Sequence, residues 1–173
     1  MTAGRTPAEA AHAFRDALQR LLSCVASAPL TVHGGYYTAE QPHQLTTATG
    51  LPVRLGGAAR LALVLRLRYR FVPNEDQHRL WRVSTVAYQM ALEDQEGRAV
   101  VAYHWHPFAG TRVQFPHLHV EPGSNTPAAI LGRANLPTGH VGLADVLRLA
   151  ITELGVRPVR TDWTEILNRA ADD

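Results

Sequence analysis

Two histidine pairs are the residues whose types and spacing point most directly to chemistry in this chain. Each pair is separated by a single residue, and together they comprise His104, His106, His117 and His119. In a β-strand, side chains two residues apart point to the same face, so each pair presents two imidazoles together. If the two segments pair as a hairpin, all four imidazoles meet in one small area.

Such a cluster fits two chemistries. Imidazole titrates near neutral pH, so facing histidines could act as base and acid in cleaving RNA, with the 2′-hydroxyl as the internal nucleophile. Alternatively, His104, His106, His117 and His119, together with Glu121, could bind zinc or another divalent ion. The sequence leaves both possibilities open, and a non-catalytic binding surface remains a third.

Hydrophobic periodicity predicts the elements that position these histidines. Thr6, Pro7 and Glu9 indicate the start of an N-terminal helix within residues 1–28. Residues 30–59, which are rich in glycine, threonine and proline, indicate an irregular region that could contain a short strand near residues 32–37. Strict alternation predicts an antiparallel sheet over residues 60–121, and helical spacing returns at residues 138–171.

The order of these elements predicts the fold class. Short connections between successive strands favour antiparallel pairing, since parallel strands need long crossovers. We therefore expect an α+β fold in a single domain of residues 1–173: an antiparallel meander of about four or more strands. The N-terminal helix and two C-terminal helices would pack on one face of that sheet.

The same alternation predicts what lies on the other face of the sheet. Arg66, Arg68 and Arg70 alternate with leucine and aromatic residues on the first long strand, so they should face away from the core. All four histidines should share that face and should not be buried as core residues. Arginine rows are often simply solvated, but a guanidinium group also matches phosphate oxygens in a bidentate way. We treat the row as a candidate phosphate-binding surface.

Composition sets limits on compartment and partners. The 17 basic residues of the 173 are all arginine, and the net charge is only +2, so placement of the arginines is more informative than their number. Cys24 is the sole cysteine, which excludes an internal disulfide and favours a cytoplasmic location. No apolar run approaches the roughly 18 residues that cross a bilayer, so we expect no membrane association.

A series of short motifs resembles the TumE-type toxins of bacterial toxin–antitoxin modules. These motifs are Tyr103 followed three residues later by His106, then Pro-His-x-His at 116–119, then an amphipathic helix introduced by Pro137 and Thr138. The resemblance covers roughly residues 60–155. It implies a small α+β protein that acts on RNA and is partnered by a helix-turn-helix antitoxin. It carries over His117 and His119 as functional residues, and Tyr103 as a substrate-binding residue.

The leading hypothesis from the sequence is therefore a cytoplasmic, toxin-like nuclease acting on RNA phosphodiesters. The four histidines would supply the chemistry, and Arg66, Arg68, Arg70 and Tyr103 would bind the substrate. The alternatives are a non-catalytic module that binds nucleic acid or protein, and a metal-dependent hydrolase of small molecules.

Overall fold

The computed structural model describes residues 3–34, 41–75, 80–107, 110, 113–120 and 134–170. Within these ranges, two helices pack against one side of a single antiparallel sheet of nine strands, and a third helix packs against those two. The predicted α+β architecture is confirmed.

Helix α1 spans Pro7–Leu22, which is shorter than the region predicted for it. The Thr6 side chain caps it by accepting a hydrogen bond from the Glu9 amide at 3.1 Å. The helix ends early because the amides of Cys24 and Val25 bond to carbonyls only three residues back, at 3.0 Å each. Helices α2 (Leu143–Thr152) and α3 (Trp163–Arg169) follow the sheet.

Four long or central strands form the meander that carries the candidate site. They are β5 (Ala62–Pro73), β6 (Trp81–Glu93), β7 (Ala99–Trp105) and β8 (His117–Val120), which pair in that order. Five shorter strands complete the sheet: β1 (Ala3–Gly4), β2 (Leu30–His33), β3 (His43–Thr47), β4 (Val53–Arg54) and β9 (Leu136–Pro137). The order across the sheet is β2-β3-β5-β6-β7-β8-β9, with β1 beside β6 and β4 beside β5.

The prediction of an irregular region at residues 30–59 is wrong where β3 and β4 lie, whereas β2 lies at the start of the segment where a short strand was possible. Strands β2, β3 and β4 all lie there, and β3 pairs directly with β5. The strands were hidden because they are short and because polar threonine, glutamine and histidine interrupt their apolar pattern. His43 of β3, for example, is only 1% exposed and packs against the rings of Tyr69 and Phe71.

The hydrophobic core lies between the sheet and the helices. Alternate residues of β5 fill it, including Leu63, Leu65 and Leu67, and the buried faces of α1 and α2 cover them. Each fully buried leucine of this kind contributes roughly 1.5–3 kcal/mol to folding. Because this face is fixed by burial, a slip of one residue in strand register would expose the core, so the register of the opposite face is fixed as well.

Candidate functional site

The four predicted histidines come together on neighbouring strands. Strand β7 carries His104, and His106 follows one residue after its end; β8 carries His117 and His119. His104 lies directly opposite His117 in the register. Its ring centroid is 5.3 Å from that of His106, 5.7 Å from that of His117 and 5.2 Å from that of His119. The side chains therefore form one cluster, with His104 at its centre.

The cluster lies on the face of the sheet opposite the helix-covered core. Residues that alternate with these histidines, such as Val101, Trp105 and Leu118, belong to the core or pack against it. The prediction that alternation places the histidines on the other face is confirmed for the described strands.

Tyr103 does not belong to this cluster. It lies between Met90 and Leu118 in the register and packs against the core on the helix side. Burial raises the pKa of its phenol, and the nearby Asp145 carboxylate raises it further. The assignment of Tyr103 to the same substrate-binding surface as the histidines is therefore corrected. A residue next to His104 in a strand must point to the opposite face of the sheet.

The histidines are less exposed than the sequence suggested. His117 is only 5% exposed, while the other three are half-buried. A buried polar group needs a hydrogen-bond partner. His117 has one, because its Nδ1–H donates to the backbone carbonyl of Phe115 at 3.0 Å. In the tautomer that makes this bond, the proton lies on Nδ1 and Nε2 carries the lone pair.

Burial and crowding keep the central imidazole neutral. Desolvation, reinforced by the neighbouring His106, His119 and His117, lowers the pKa of His104 from 6.5 to about 4. The pKa of His106 is lowered by burial first, then by His117 and Arg68, and burial together with His117 lowers that of His119. Neutral imidazoles accept protons or bind metal ions, so the cluster favours the roles of base and ligand over that of acid.

The predicted arginine row lies on the same face. Arg66 is opposite Gln89, which is opposite His104, so one row across the sheet runs from Arg66 to His117. Adjacent strands are about 4.8 Å apart, which puts the Arg66 backbone roughly 10 Å from that of His104. A bulge on β6 shifts the pairing after Arg68, but Arg70 stays on this face, opposite Ser84.

These three arginines are not held by carboxylates, unlike five other arginines of the described residues. In the described part of the chain, five arginines form ion pairs with carboxylates: Arg15, Arg98, Arg148, Arg160 and Arg169. Arg66, Arg68 and Arg70 are exposed and form no such pair with any described residue. Arg66 donates one long hydrogen bond, 3.4 Å, to the Gln89 side chain. Their charge is therefore available to an external anion.

A shallow cavity of about 120 Å³ connects the arginines with the cluster. Its polar lining consists of Gln44, Arg66, Arg68, Gln89 and His106. Sequence reasoning missed both glutamines. Alternation along β6 could have placed Gln89 on this face, but Gln44 is brought there only by β3, a strand that the sequence did not reveal.

Three of the histidines also have the arrangement of metal ligands. One nitrogen from each of His104, His117 and His119 lies within 4.8 Å of the other two. His106 is not part of this triad. Glu121, the remaining predicted ligand, lies outside the described residues.

A larger cavity, about 430 Å³, lies on the helix side of the sheet and is separate from the histidine cluster. It is mostly apolar, with Phe14, Leu18 and Met90 among its lining residues. His140 also lines it and packs edge-on against Trp105 at 4.3 Å. His140 thus lies on the opposite side of the sheet from the four clustered histidines.

Comparisons with family models, curated proteins and solved structures found no match. Among the described residues, no helix is both long and apolar enough to cross a bilayer.

Proposed function

We propose that this protein is a toxin-like nuclease that cleaves RNA phosphodiesters on the histidine face of its sheet. The main support for the proposal is that Arg66, which forms no ion pair with a described residue, lies in one row across the sheet with His104 and His117. The arginines and the clustered imidazoles therefore share one surface. Phosphodiester cleavage needs both groups: cations that bind the phosphate, and a base that activates the nucleophile.

The arginines act as the phosphate-binding part of the site. Arg66 and Arg68 line the shallow cavity together with His106. A guanidinium fork binds two phosphate oxygens at once, which orients the phosphate as well as attracting it. Arg70 extends the positive charge along the same strand, where it contacts a neighbouring phosphate of the polymer.

His106 acts as the base, because it lines the same cavity as these arginines. Its imidazole takes the proton of the ribose 2′-hydroxyl, and the 2′-oxygen forms a bond to phosphorus. The bond from phosphorus to the 5′-oxygen breaks, and the leaving oxygen takes a proton from solvent. The products are a 2′,3′-cyclic phosphate and a 5′-hydroxyl, and His106 returns its proton to solvent.

The shape of the face favours a polymer over a small molecule. Pockets for small ligands usually enclose roughly 300–1,000 Å³. In the part of the chain that the structure describes, the cavity beside the histidines has about 120 Å³. An extended strand of RNA would instead lie across the exposed arginine row and contact the surface at several phosphates.

Expression in bacteria tests this function in its cellular setting. We propose that the protein acts in the cytoplasm and is restrained by a helix-turn-helix antitoxin. Induced expression is then expected to arrest growth, and His106→Ala is expected to abolish the arrest because it removes the base. The matched control is His140→Ala, on the other side of the sheet, which should arrest growth like the wild type. Arrest that persists in the His106→Ala variant at an equal protein level would overturn the assigned site.

A further inference from the structure

We propose that His104, His117 and His119 form a binding site for one divalent metal ion of the zinc class. The inference rests on the proposed nuclease function only for the role that the ion has in catalysis. The binding itself is argued from the geometry of the three side chains.

The positions of the donor atoms carry the first step. One nitrogen from each imidazole lies within 4.8 Å of the other two. Tetrahedral zinc binds imidazole nitrogens at about 2.0–2.1 Å, which requires the nitrogens to be about 3.3 Å apart. The nitrogens must therefore approach by rotation about the side-chain torsions, and the register of β7 and β8 already places His104 opposite His117.

The hydrogen bond of His117 is the second step. Histidines that bind metals almost always donate their other ring N–H to a carbonyl or carboxylate, which fixes the tautomer and the ring orientation. His117 does this with the carbonyl of Phe115, at 3.0 Å. Its Nε2 is therefore free to donate a lone pair to an ion.

The third observation is a nitrogen at the centre of the cluster that lacks a hydrogen-bond partner among the described residues. Nε2 of His104 is buried and has no hydrogen-bond partner in the described part of the chain. A buried polar atom without a partner is uncommon and indicates that something else satisfies it. An ion coordinated by His104 together with the two β8 histidines would supply that partner.

The ligand set indicates the class of ion and its use. Imidazole ligands suit zinc, copper, nickel and iron, whereas magnesium and calcium prefer oxygen. Three protein ligands leave one coordination position open, as in catalytic zinc sites. An ion held there would polarise a phosphate oxygen. His106 is outside the triad and keeps its imidazole free for proton transfer.

Metal titration of protein purified without a histidine tag tests the site. The protein is stripped with a chelator and dialysed, and Zn²⁺ binding is then measured by calorimetry. We expect one equivalent to bind, and Co²⁺ to give the visible absorption of a tetrahedral site. His104→Ala and His119→Ala should each lose more affinity than the about 10–100-fold that follows loss of an outer-shell partner. His106→Ala, the matched control from the same cluster, should bind like the wild type.

The outcomes separate this site from the nuclease function. Failure of the wild type to bind an equivalent of Zn²⁺ would overturn the metal site, as would undiminished binding by both triad variants. Circular dichroism establishes whether each variant is folded. If an alanine variant does not fold, His119→Gln, a milder change at a half-buried position, is used in its place. Stoichiometric binding without RNA cleavage would uphold the metal site and refute the nuclease. Cleavage that proceeds in chelator without bound metal would uphold the nuclease and refute the catalytic role of the ion.

Discussion

Replacement of His106 by alanine is expected to slow RNA cleavage by about 100- to 10,000-fold, the usual contribution of a positioned general base. The effect should be on the chemical step, because His106 lines the cavity that contains Arg66 and Arg68 but is not needed to hold the phosphate. Single-turnover cleavage of a labelled RNA, with enzyme in excess, measures this rate directly. RNA binding by the variant should stay close to that of the wild type.

The half-buried position of His106 makes this test informative about chemistry rather than folding. Removing a half-buried, surface-facing side chain leaves the core of the sheet intact, whereas His117 is 5% exposed and its loss would leave a cavity. His140→Ala is the control for the loss of an imidazole elsewhere. A His106→Ala protein that cleaves at the wild-type rate would refute the role of base assigned to it.

The double substitution of Arg66 and Arg68 by alanine is expected to weaken RNA binding by about tenfold or more for each arginine, because each charged contact to phosphate is worth roughly 1.5–3 kcal/mol. Affinity should also become less sensitive to salt. Two lost phosphate contacts on a single strand reduce the slope of log affinity against log salt by about 1.4. Fluorescence anisotropy with a short single-stranded RNA, repeated over a range of salt concentrations, measures both quantities.

Two further variants separate specific phosphate contacts from general charge. Arg66→Lys with Arg68→Lys keeps the charge but loses the bidentate fork, so its affinity should lie between those of the wild type and the alanine variant. Arg169→Ala removes an arginine that is bonded to Glu165 on α3 at 2.6 Å, and it should bind RNA normally. A loss of binding free energy from Arg169→Ala that is about half that of the double alanine variant would indicate that only net charge matters.

Much of the sheet and of its two faces could be predicted from the sequence, because burial fixes strand register. The alternation of leucines with Arg66, Arg68 and Arg70 in β5 already separates core from surface. The same rule correctly places His104 and His119 on the arginine side. The same alternation in β7 places Tyr103 on the core side, where the structure has it. Only the resemblance to the toxin family had assigned Tyr103 to substrate binding.

The remaining features depend on contacts between residues distant in sequence. Gln44 reaches the cavity only because β3 pairs with β5, and β3 has too few apolar residues to be recognised as a strand. The burial of His117 and its bond to the Phe115 carbonyl depend on how the chain enters β8. Alternation predicts the direction of a side chain, but it does not predict how deeply neighbouring segments cover it.

The measurement that tests the central claim most directly is incubation of the purified protein with an RNA oligonucleotide and with the same sequence made entirely of 2′-deoxynucleotides. The proposed function predicts that only the RNA is cut, that the upstream fragment ends in a 2′,3′-cyclic phosphate, and that His106→Ala suppresses the cut. Equal cleavage of both strands would contradict the 2′-hydroxyl chemistry. Intact RNA after incubation with the wild-type protein, whether or not Zn²⁺ is supplied, would contradict the nuclease itself.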